Sequence, residues 1–251
     1  MRSRNTFQVL LFSVGLVFWT ACVRPGYSSS PARPSVPLTE RQPQQLSPNG
    51  QLLLHTLVRS GTLSDLRWPD FGDYRDDVSK FYQSSAYSLM WVTDMQPTQQ
   101  ARDVITELQS ADQKGLSSED YDGSLWASRL RRLKPADPHP SESDAVEFDL
   151  SLTISTMRYI SDLHVGKINP QHVNFQVNVA ERRYDLADFL KEDVVTSPDV
   201  SHVFTQIEPL YPGYQRTIRA LQTYLQLARQ DDGEALPFRR SAHGESFRPR
   251  Q

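Results

Sequence analysis

The sequence predicts a mainly α-helical fold, an irregular multi-helix domain over residues 48–230 with few or no strands. Apolar residues recur at i, i+3, i+4 and i+7 in about seven segments, which is the period of an amphipathic helix. One segment, 143–166, is apolar over more than one stripe, which is typical of a helix at the centre of its domain. Only 87–92 and 173–179 have β character, and two short stretches are too few for a sheet of their own.

The first 22 residues have the pattern of an export signal. Arg2 and Arg4 form a basic start, and a mostly apolar stretch follows from Phe7 to Trp19. This stretch is shorter than the ~20 residues that a membrane-spanning helix needs, and its length is typical of a signal peptide. We therefore expect the rest of the chain to be exported and to work in the cell envelope, facing the periplasm.

Cys22 is the only cysteine of the chain and follows the small residues Thr20 and Ala21. One cysteine excludes an internal disulfide and a Cys-rich zinc site. The arrangement resembles a bacterial lipoprotein signal, in which the cysteine becomes the acylated N-terminus after cleavage. Trp19 departs from that pattern, since such signals usually carry an aliphatic residue there. Cys22 is thus the predicted lipidation site and membrane anchor. The alternative is a signal that is cleaved elsewhere or retained, with Cys22 incidental.

Polar, proline-containing segments lie on both sides of the predicted domain. Residues 23–47 are rich in Pro, Ser and Gln and poor in large aliphatic residues. Such a segment cannot bury enough apolar surface to offset the entropy of ordering it, so we predict a disordered tether. Residues 231–251 are similar and are predicted to form a disordered tail. The predicted organisation is a signal at 1–22, the tether, the helical domain at 48–230 and the tail.

Apolar faces and stop residues mark the helices of the domain in order. The first helix is predicted to end at Gly61, and a third to begin at Pro97 and stop at Gly115. Gly166 follows the long central helix, and short helices are predicted behind Asp185 and before Pro209. The apolar faces of the first, second, third and last helices are Leu53, Leu54, Leu57 and Val58; Val78, Phe81 and Tyr82; Ala101, Val104, Ile105, Leu108 and Ala111; and Tyr214, Ile218, Leu221, Tyr224, Leu225 and Ala228.

The charges of the chain nearly balance, with 27 Lys and Arg against 30 Asp and Glu. This balance gives no electrostatic reason to expect a nucleic-acid partner, because such proteins usually carry a basic face. The basic run "RLRRLK", Arg129 to Lys134, alternates with leucines and is predicted to form the outer face of a short helix. The alternative is a contact with an anionic glycan or lipid.

Residue types that often carry chemistry occur without the spacing that chemistry needs. The histidines have no metal-ligand pair spacing, so we predict no metal or cofactor site. The acidic residues are predicted to be solvated or to cap helices, with a glycan-cleaving pair as the alternative. The aromatics at turns are predicted to pack in the core or loops, with a saccharide groove as the alternative. These three sets are His55, His139, His164, His172, His202 and His243; Asp76, Asp77, Glu119, Asp120 and Asp122; and Tyr82, Tyr87, Trp91, Tyr121, Tyr211 and Tyr214.

Five segments, taken in order, resemble the scaffold domain of the large murein L,D-transpeptidases. They are "DDVSKFYQSSAYSLMWV", "ARDVITELQSADQKGLSSEDYD", "FDLSLTISTMRYISDLHVGKINPQHVNFQV", "DLADFLKE" and "VFTQIEPLYPGYQRTIRALQTY". The characteristic residues are Phe81–Tyr82 followed by Trp91, Gly115–Leu116, Asp120–Tyr121, Gly166–Lys167–Ile168 with Pro170, and Pro209 with Tyr211 and Tyr214. The resemblance covers nearly the whole predicted domain and rests on the ordered set, not on one motif.

The resemblance implies a helical scaffold that is joined, in that family, to a peptidoglycan-binding module and a β-rich catalytic domain. There a cysteine thiolate in a Ser/His-Gly-Cys-Arg context attacks a peptide stem, and the amine of a second stem resolves the acyl-enzyme. This chain has no such sequence, and nothing around Cys22 supplies the base and oxyanion donors that a thiolate nucleophile needs. We expect no catalytic residue here, and a partner in peptidoglycan or in a separately encoded transpeptidase catalytic domain.

Three explanations for the missing catalytic half remain open: a stand-alone scaffold, a gene split or truncated by a frameshift, and an incomplete sequence. Two other functions also remain open. One is a helical lipoprotein that binds peptidoglycan or an envelope partner with no transpeptidase involved. The other is a glycan hydrolase or lyase that uses the acids near Asp120.

Overall fold

The computed structural model describes residues 43–134, 141–167 and 185–230. Within these ranges the chain is mainly α-helical, which confirms the predicted fold class. The helices are α1 Pro48–Ser60, α2 Arg75–Ser84, α3 Gln99–Gln109, α4 Trp126–Arg132, α5 Glu142–His164, α6 Leu186–Phe189, α7 Val200–Gln206 and α8 Pro212–Gln230; the strands are β1 Val92–Thr93 and β2 Gln96–Pro97. The predicted signal with Cys22, the predicted tail and the β-like stretch 173–179 lie outside the described residues.

Helix α5 is the centre of the fold, as its broad apolar surface predicts. Of its 23 residues, fifteen are buried, and they lie on every side of the helix. Helices α1, α3, α4 and α6 all contact it. Its N-terminus is capped by Ser141, whose hydroxyl accepts a hydrogen bond from the backbone N–H of Asp144 at 3.1 Å. Burial of so many large side chains on one helix makes α5 the element against which the others are positioned.

Helix α1 begins and ends as the capping rules predict. The Ser47 side chain accepts a hydrogen bond from the Gly50 N–H at 3.1 Å, and such caps satisfy amide groups that the first turn leaves unbonded. Gly61 follows the last residue with φ 70°, the left-handed conformation that glycine adopts without a steric penalty. The Glu142 carboxylate at the start of α5 accepts from the Ser47 N–H at 2.7 Å, so the start of α1 is joined to the central helix.

The predicted tether boundary at residue 47 is too late in the chain. Gln44 forms an antiparallel bridge with Leu89, with backbone hydrogen bonds of 3.2 and 3.0 Å. Leu46 is buried in the core. Apolar burial and backbone pairing therefore hold residues 44–47 in the folded part, although their composition is typical of a tether.

The predicted helix start at Pro97 is wrong by two residues. Pro97 pairs with Val92 in the small hairpin of β1 and β2. The cap of α3 is Thr98, whose hydroxyl accepts from the Ala101 N–H at 3.1 Å, so the helix begins at Gln99. The hairpin turn has φ values of 51° and 57° at its two central residues, as a two-residue turn between twisted strands requires. The hydroxyl cap and not the proline ring fixes the helix start.

The basic run beginning at Arg129 does not form a wholly outer helix face. The Arg129 side chain is 1 % exposed, whereas Arg131 is exposed. The Arg129 guanidinium donates to Asp122 Oδ2 at 3.0 Å and to Asp65 Oδ2 at 2.8 Å, and it lies 4.5 Å from the Trp126 ring. Two carboxylates thus compensate a buried charge, and this compensation is why an arginine is tolerated in the core.

Helix α8 has the predicted amphipathic face, but none of its residues is fully buried. Leu221 lies close to Gly115, where α8 meets the turn 111–114. Tyr224 and Leu227, further along, are 70 % and 55 % exposed. Among the described helices, none is both long enough and apolar enough to cross a bilayer.

Candidate functional site

A cleft of about 300 Å³ lies between α1 and α2 and is the candidate functional site. Its volume is at the lower end of the range for small-ligand sites. Val58, a core residue, forms part of its floor. The polar and aromatic residues that line it are His55, Arg59, Arg75, Asp76, Ser79, Gln83 and Tyr87.

Helical spacing explains why these side chains share one cleft. On α1, His55 and Arg59 are four residues apart and therefore lie on the same face. On α2, Arg75, Ser79 and Gln83 repeat the same spacing, and the Gln83 amide donates to Ser79 Oγ at 2.9 Å. Buried residues beside them, Leu54 on α1 and Val78 and Tyr82 on α2, hold both helices in the core.

The two walls of the cleft run in opposite directions. Gly61, just after α1, lies beside Arg75 at the start of α2. At the other end, the ring centroid of His55 is 5.3 Å from that of Tyr87, which follows α2. Arg59 and Arg75 are therefore at one end of the cleft, and the two rings are at the other.

Tyr87 closes the aromatic end through an unusual backbone conformation. Ala86 and Tyr87 have φ values of 52° and 55°, and a bulky residue in this region is an outlier. Each such residue costs about 1–2 kcal/mol relative to an ordinary conformation. The Tyr87 N–H donates to the Tyr82 carbonyl at 2.8 Å, which ends α2 in a tight left-handed turn. Strain of this kind is concentrated at functional sites.

The cationic end of the cleft carries more positive than negative charge. Within the described ranges Arg59 forms no ion pair. Arg75 Nε is 3.6 Å from Asp76 Oδ1, but the two side chains are 53 % and 98 % exposed. Pairs this exposed contribute little attraction. The lining of the cleft thus contains two guanidinium groups and one carboxylate, and that carboxylate is almost fully exposed.

A buried hydrogen-bond network fixes α2 against α5 behind the cleft. The Tyr82 hydroxyl donates to Asp149 Oδ1 at 2.8 Å, and the Trp91 N–H donates to Asp149 Oδ2 at 2.7 Å. Burial raises the pKa of the Asp149 carboxyl to about 7, while the hydrogen bonds from Trp91 and Tyr82 act in the opposite direction. Networks in which every member is bonded rigidify a core, so the α2 wall is held by its buried face.

A second buried network holds α4 against α5 and the loop before α2. Asp122 is fully buried and accepts from Arg129, from the Ser155 hydroxyl at 3.1 Å and from the Arg67 N–H at 2.8 Å. Asp65 binds Arg129 and also Arg132, at 2.8 Å. These bonds compensate the buried charges of Asp122 and Arg129. They also fix the placement of residues 65–67 relative to Asp122.

A family model described as "Scaffold domain" matches residues 76–221, which is more than half of the chain. The chain belongs to this scaffold-domain family. No curated protein and no solved structure matches it. The matched segment contains most of α2, with Asp76, Ser79, Gln83 and Tyr87, and ends within α8. Helix α1 and Arg75 precede it, so the scaffold-domain match covers most of the α2 wall of the cleft and neither of its two arginines.

Three of the acids that the sequence singles out, Glu119, Asp120 and Asp122, bond nearby side chains, whereas Asp76 is exposed. Glu119 Oε2 accepts from Arg67 Nη1 at 3.0 Å and from the Ser124 hydroxyl at 2.9 Å. Asp120 pairs with Lys167, and Asp122 is buried as described. In the described residues, no group of three His, Cys, Asp or Glu side chains is arranged to hold a metal ion.

The histidines and aromatics divide between packing and the cleft. His164 is the last residue of α5, and its Nδ1 lies 3.2 Å from the Ile207 carbonyl oxygen. Tyr82, Trp91 and Tyr121 are buried, as predicted, whereas Tyr211 is 62 % exposed. His139, His172 and His243 lie outside the described residues. Only His55 and Tyr87 of these two sets line the cleft.

Sequence reasoning did not identify the cleft. The four-residue spacings of His55–Arg59 and Arg75–Ser79–Gln83 are visible signals of two polar helix faces. Nothing in either spacing shows that the two faces meet. The left-handed turn at Ala86 and Tyr87 gave no signal either, because neither residue is glycine or asparagine.

Proposed function

We propose that this scaffold domain works in the cell envelope as a non-catalytic scaffold of the L,D-transpeptidase type, which places a catalytic domain or another partner beside peptidoglycan. The observation that carries the proposal is the match of residues 76–221 to a scaffold family. The same segment resembles the transpeptidase scaffold through residues that include Tyr82, Trp91 and Tyr121. All three are buried and form side-chain hydrogen bonds. These residues therefore support the shape of the domain.

Sedimentation with purified sacculi tests the association with peptidoglycan. The full chain is expected to pellet with sacculi, and a separately purified L,D-transpeptidase catalytic domain is expected to cross-link peptide stems faster when the chain is present. The chain alone is expected to form no cross-links. Failure to pellet would contradict the association, and cross-linking by the chain alone that survives Cys22→Ser would contradict the non-catalytic role.

A helical lipoprotein that binds peptidoglycan without a transpeptidase is the second candidate. The cationic cleft between α1 and α2 favours it, because direct ligand binding needs a site of this kind. This candidate predicts that the chain pellets with sacculi and leaves the rate of the added catalytic domain unchanged. The same sedimentation experiment therefore separates the two candidates.

Membrane attachment through Cys22 is the localisation part of the proposal. Because Cys22 is the only cysteine, palmitate incorporated by a bacterium that expresses the chain reports on one site. We expect the label in the membrane fraction, its loss in Cys22→Ser, and a larger labelled fraction in Trp19→Leu, which restores an aliphatic residue before the cleavage site. An unlabelled wild-type protein would instead support a signal that is cleaved elsewhere or retained.

A further inference from the structure

We infer that the α1–α2 cleft binds a carboxylate-bearing ligand, with Arg59 and Arg75 holding the carboxylate and His55 and Tyr87 contacting the rest of the molecule. The cleft has a cationic end and an aromatic end, and hydrogen-bonding groups of Ser79 and Gln83 lie between them. This arrangement matches a ligand that carries an anionic group and a neutral polar body.

The cationic end has the chemistry of an oxyanion site. A guanidinium group is planar and presents its donors in a fork that fits a carboxylate in two parallel hydrogen bonds. Arg59 forms no ion pair among the described residues, and Arg75 has only the long, exposed contact with Asp76. A ligand carboxylate therefore has no buried protein carboxylate to displace before it binds.

The aromatic end supplies the surface for the body of the ligand. The Tyr87 ring is half-buried, and its centroid lies 5.3 Å from that of His55. The surrounding protein therefore restricts the orientation of the Tyr87 ring. The strained turn at Ala86 and Tyr87 sets the direction of this ring. A ring held in this way offers contact area at a low cost in conformational entropy.

The size of the cleft limits the part of a ligand that it can enclose. A volume of about 300 Å³ accommodates a short peptide or a sugar acid and excludes a folded partner. The source of the carboxylate rests on the proposed function: the peptide stems of peptidoglycan carry carboxylates, and they are the source to which we assign this site.

Titration calorimetry of the full chain with a soluble disaccharide–tetrapeptide tests the assignment. Arg59→Gln and Arg75→Gln are each expected to weaken binding at least tenfold, and the same fragment with amidated carboxylates is expected to bind as weakly. Arg102→Gln, an exposed arginine on α3, is the matched control and is expected to change the dissociation constant less than twofold. Asp76→Asn removes the one carboxylate of the cleft and is expected to tighten binding.

Two further outcomes separate this site from the proposed function. If the Arg59→Gln, Arg75→Gln double variant binds the fragment as the wild type does, the cleft assignment is overturned even when sacculi still pellet the protein. If inorganic phosphate binds in an arginine-dependent manner and the fragment does not, the carboxylate assignment is overturned. If the wild type fails to pellet with sacculi but binds citrate with the same arginine dependence, the site stands and its peptidoglycan source does not.

Discussion

The Trp91 indole N–H donates to the Thr153 hydroxyl at 3.0 Å, although the two residues are 62 positions apart. Trp91 precedes the small hairpin, and Thr153 is near the middle of α5. Both are fully buried. The same hydroxyl lies 2.9 Å from the Tyr82 hydroxyl, so one threonine side chain joins the central helix both to α2 and to the chain that leads into the hairpin.

Removal of this hydroxyl is expected to destabilise the domain. Thr153→Val leaves the buried indole N–H of Trp91 without an acceptor, and an unsatisfied buried donor costs about 1–3 kcal/mol. Thr156→Val is the matched control, because the Thr156 hydroxyl is also buried and, among the described residues, bonds only the Leu152 carbonyl of its own helix. Urea unfolding gives both free energies. Equal losses in the two variants would show that Trp91 does not depend on Thr153.

Arg129 and Arg131 allow the effect of removing a buried charge to be compared with that of removing an exposed one. Arg129→Met leaves Asp122 fully buried and without its cationic partner, and loss of one partner of a buried pair costs about 3–5 kcal/mol. Arg131 is exposed, so Arg131→Met is expected to change the free energy of unfolding by less than about 0.5 kcal/mol. The double variant Arg129→Met, Asp122→Asn is expected to recover part of the loss. If the thermal midpoint of Arg129→Met is close to that of the wild type, the Arg129–Asp122 ion pair does not stabilise the domain.

Ala86 permits a test of backbone strain that does not alter the cleft side chains. Its φ of 52° costs about 1–2 kcal/mol, and glycine would remove that cost at an entropic loss of about 0.5–1 kcal/mol. Ala86→Gly is thus expected to stabilise the domain by roughly 0.5–1 kcal/mol. In Ala127→Gly, at an exposed helical position of α4, the same chemical change is expected to destabilise by a similar amount. The prediction fails if both variants lose stability.

Local rules account for much of the fold. The period of the apolar residues predicts where the helices lie, and Gly61 and Asp185 mark helix ends as capping physics requires. The central position of α5 follows from its apolar surface alone. Errors arise where a hydroxyl cap competes with a proline, as at Thr98 and Pro97, and where polar-looking residues such as Gln44 find a backbone partner distant in the sequence.

The candidate site depends on tertiary structure and is therefore much harder to predict. Arg129 and Arg131 are two residues apart in one basic run, yet one is buried and the other is exposed. The difference comes from Asp65 and Asp122, which only the folded chain brings together. Likewise, the charge of the cleft depends on the meeting of α1 with α2, and that meeting has no local signal.

Asp149 is expected to make stability depend on pH below neutrality. Burial raises the pKa of its carboxyl from 3.8 to about 7, so the folded state binds more protons than the unfolded state between these values. Stability therefore falls as pH rises through this window. The contribution is complete below about pH 4 and is lost near pH 7, with a total of at most roughly 4 kcal/mol.

Asp149→Asn removes this titration while keeping a side chain of similar shape. The free energy of unfolding of the wild type minus that of Asp149→Asn is expected to decrease between pH 4 and pH 7 and to level off above it. Other carboxyls, such as Asp185, whose pKa the hydrogen bond from Lys80 lowers, act in the opposite direction, but they are present in both proteins and cancel in the difference. A difference that stays flat from pH 4 to pH 8 would mean that the Asp149 carboxyl does not titrate in this range, and that the hydrogen bonds from Tyr82 and Trp91 keep it ionised despite its burial.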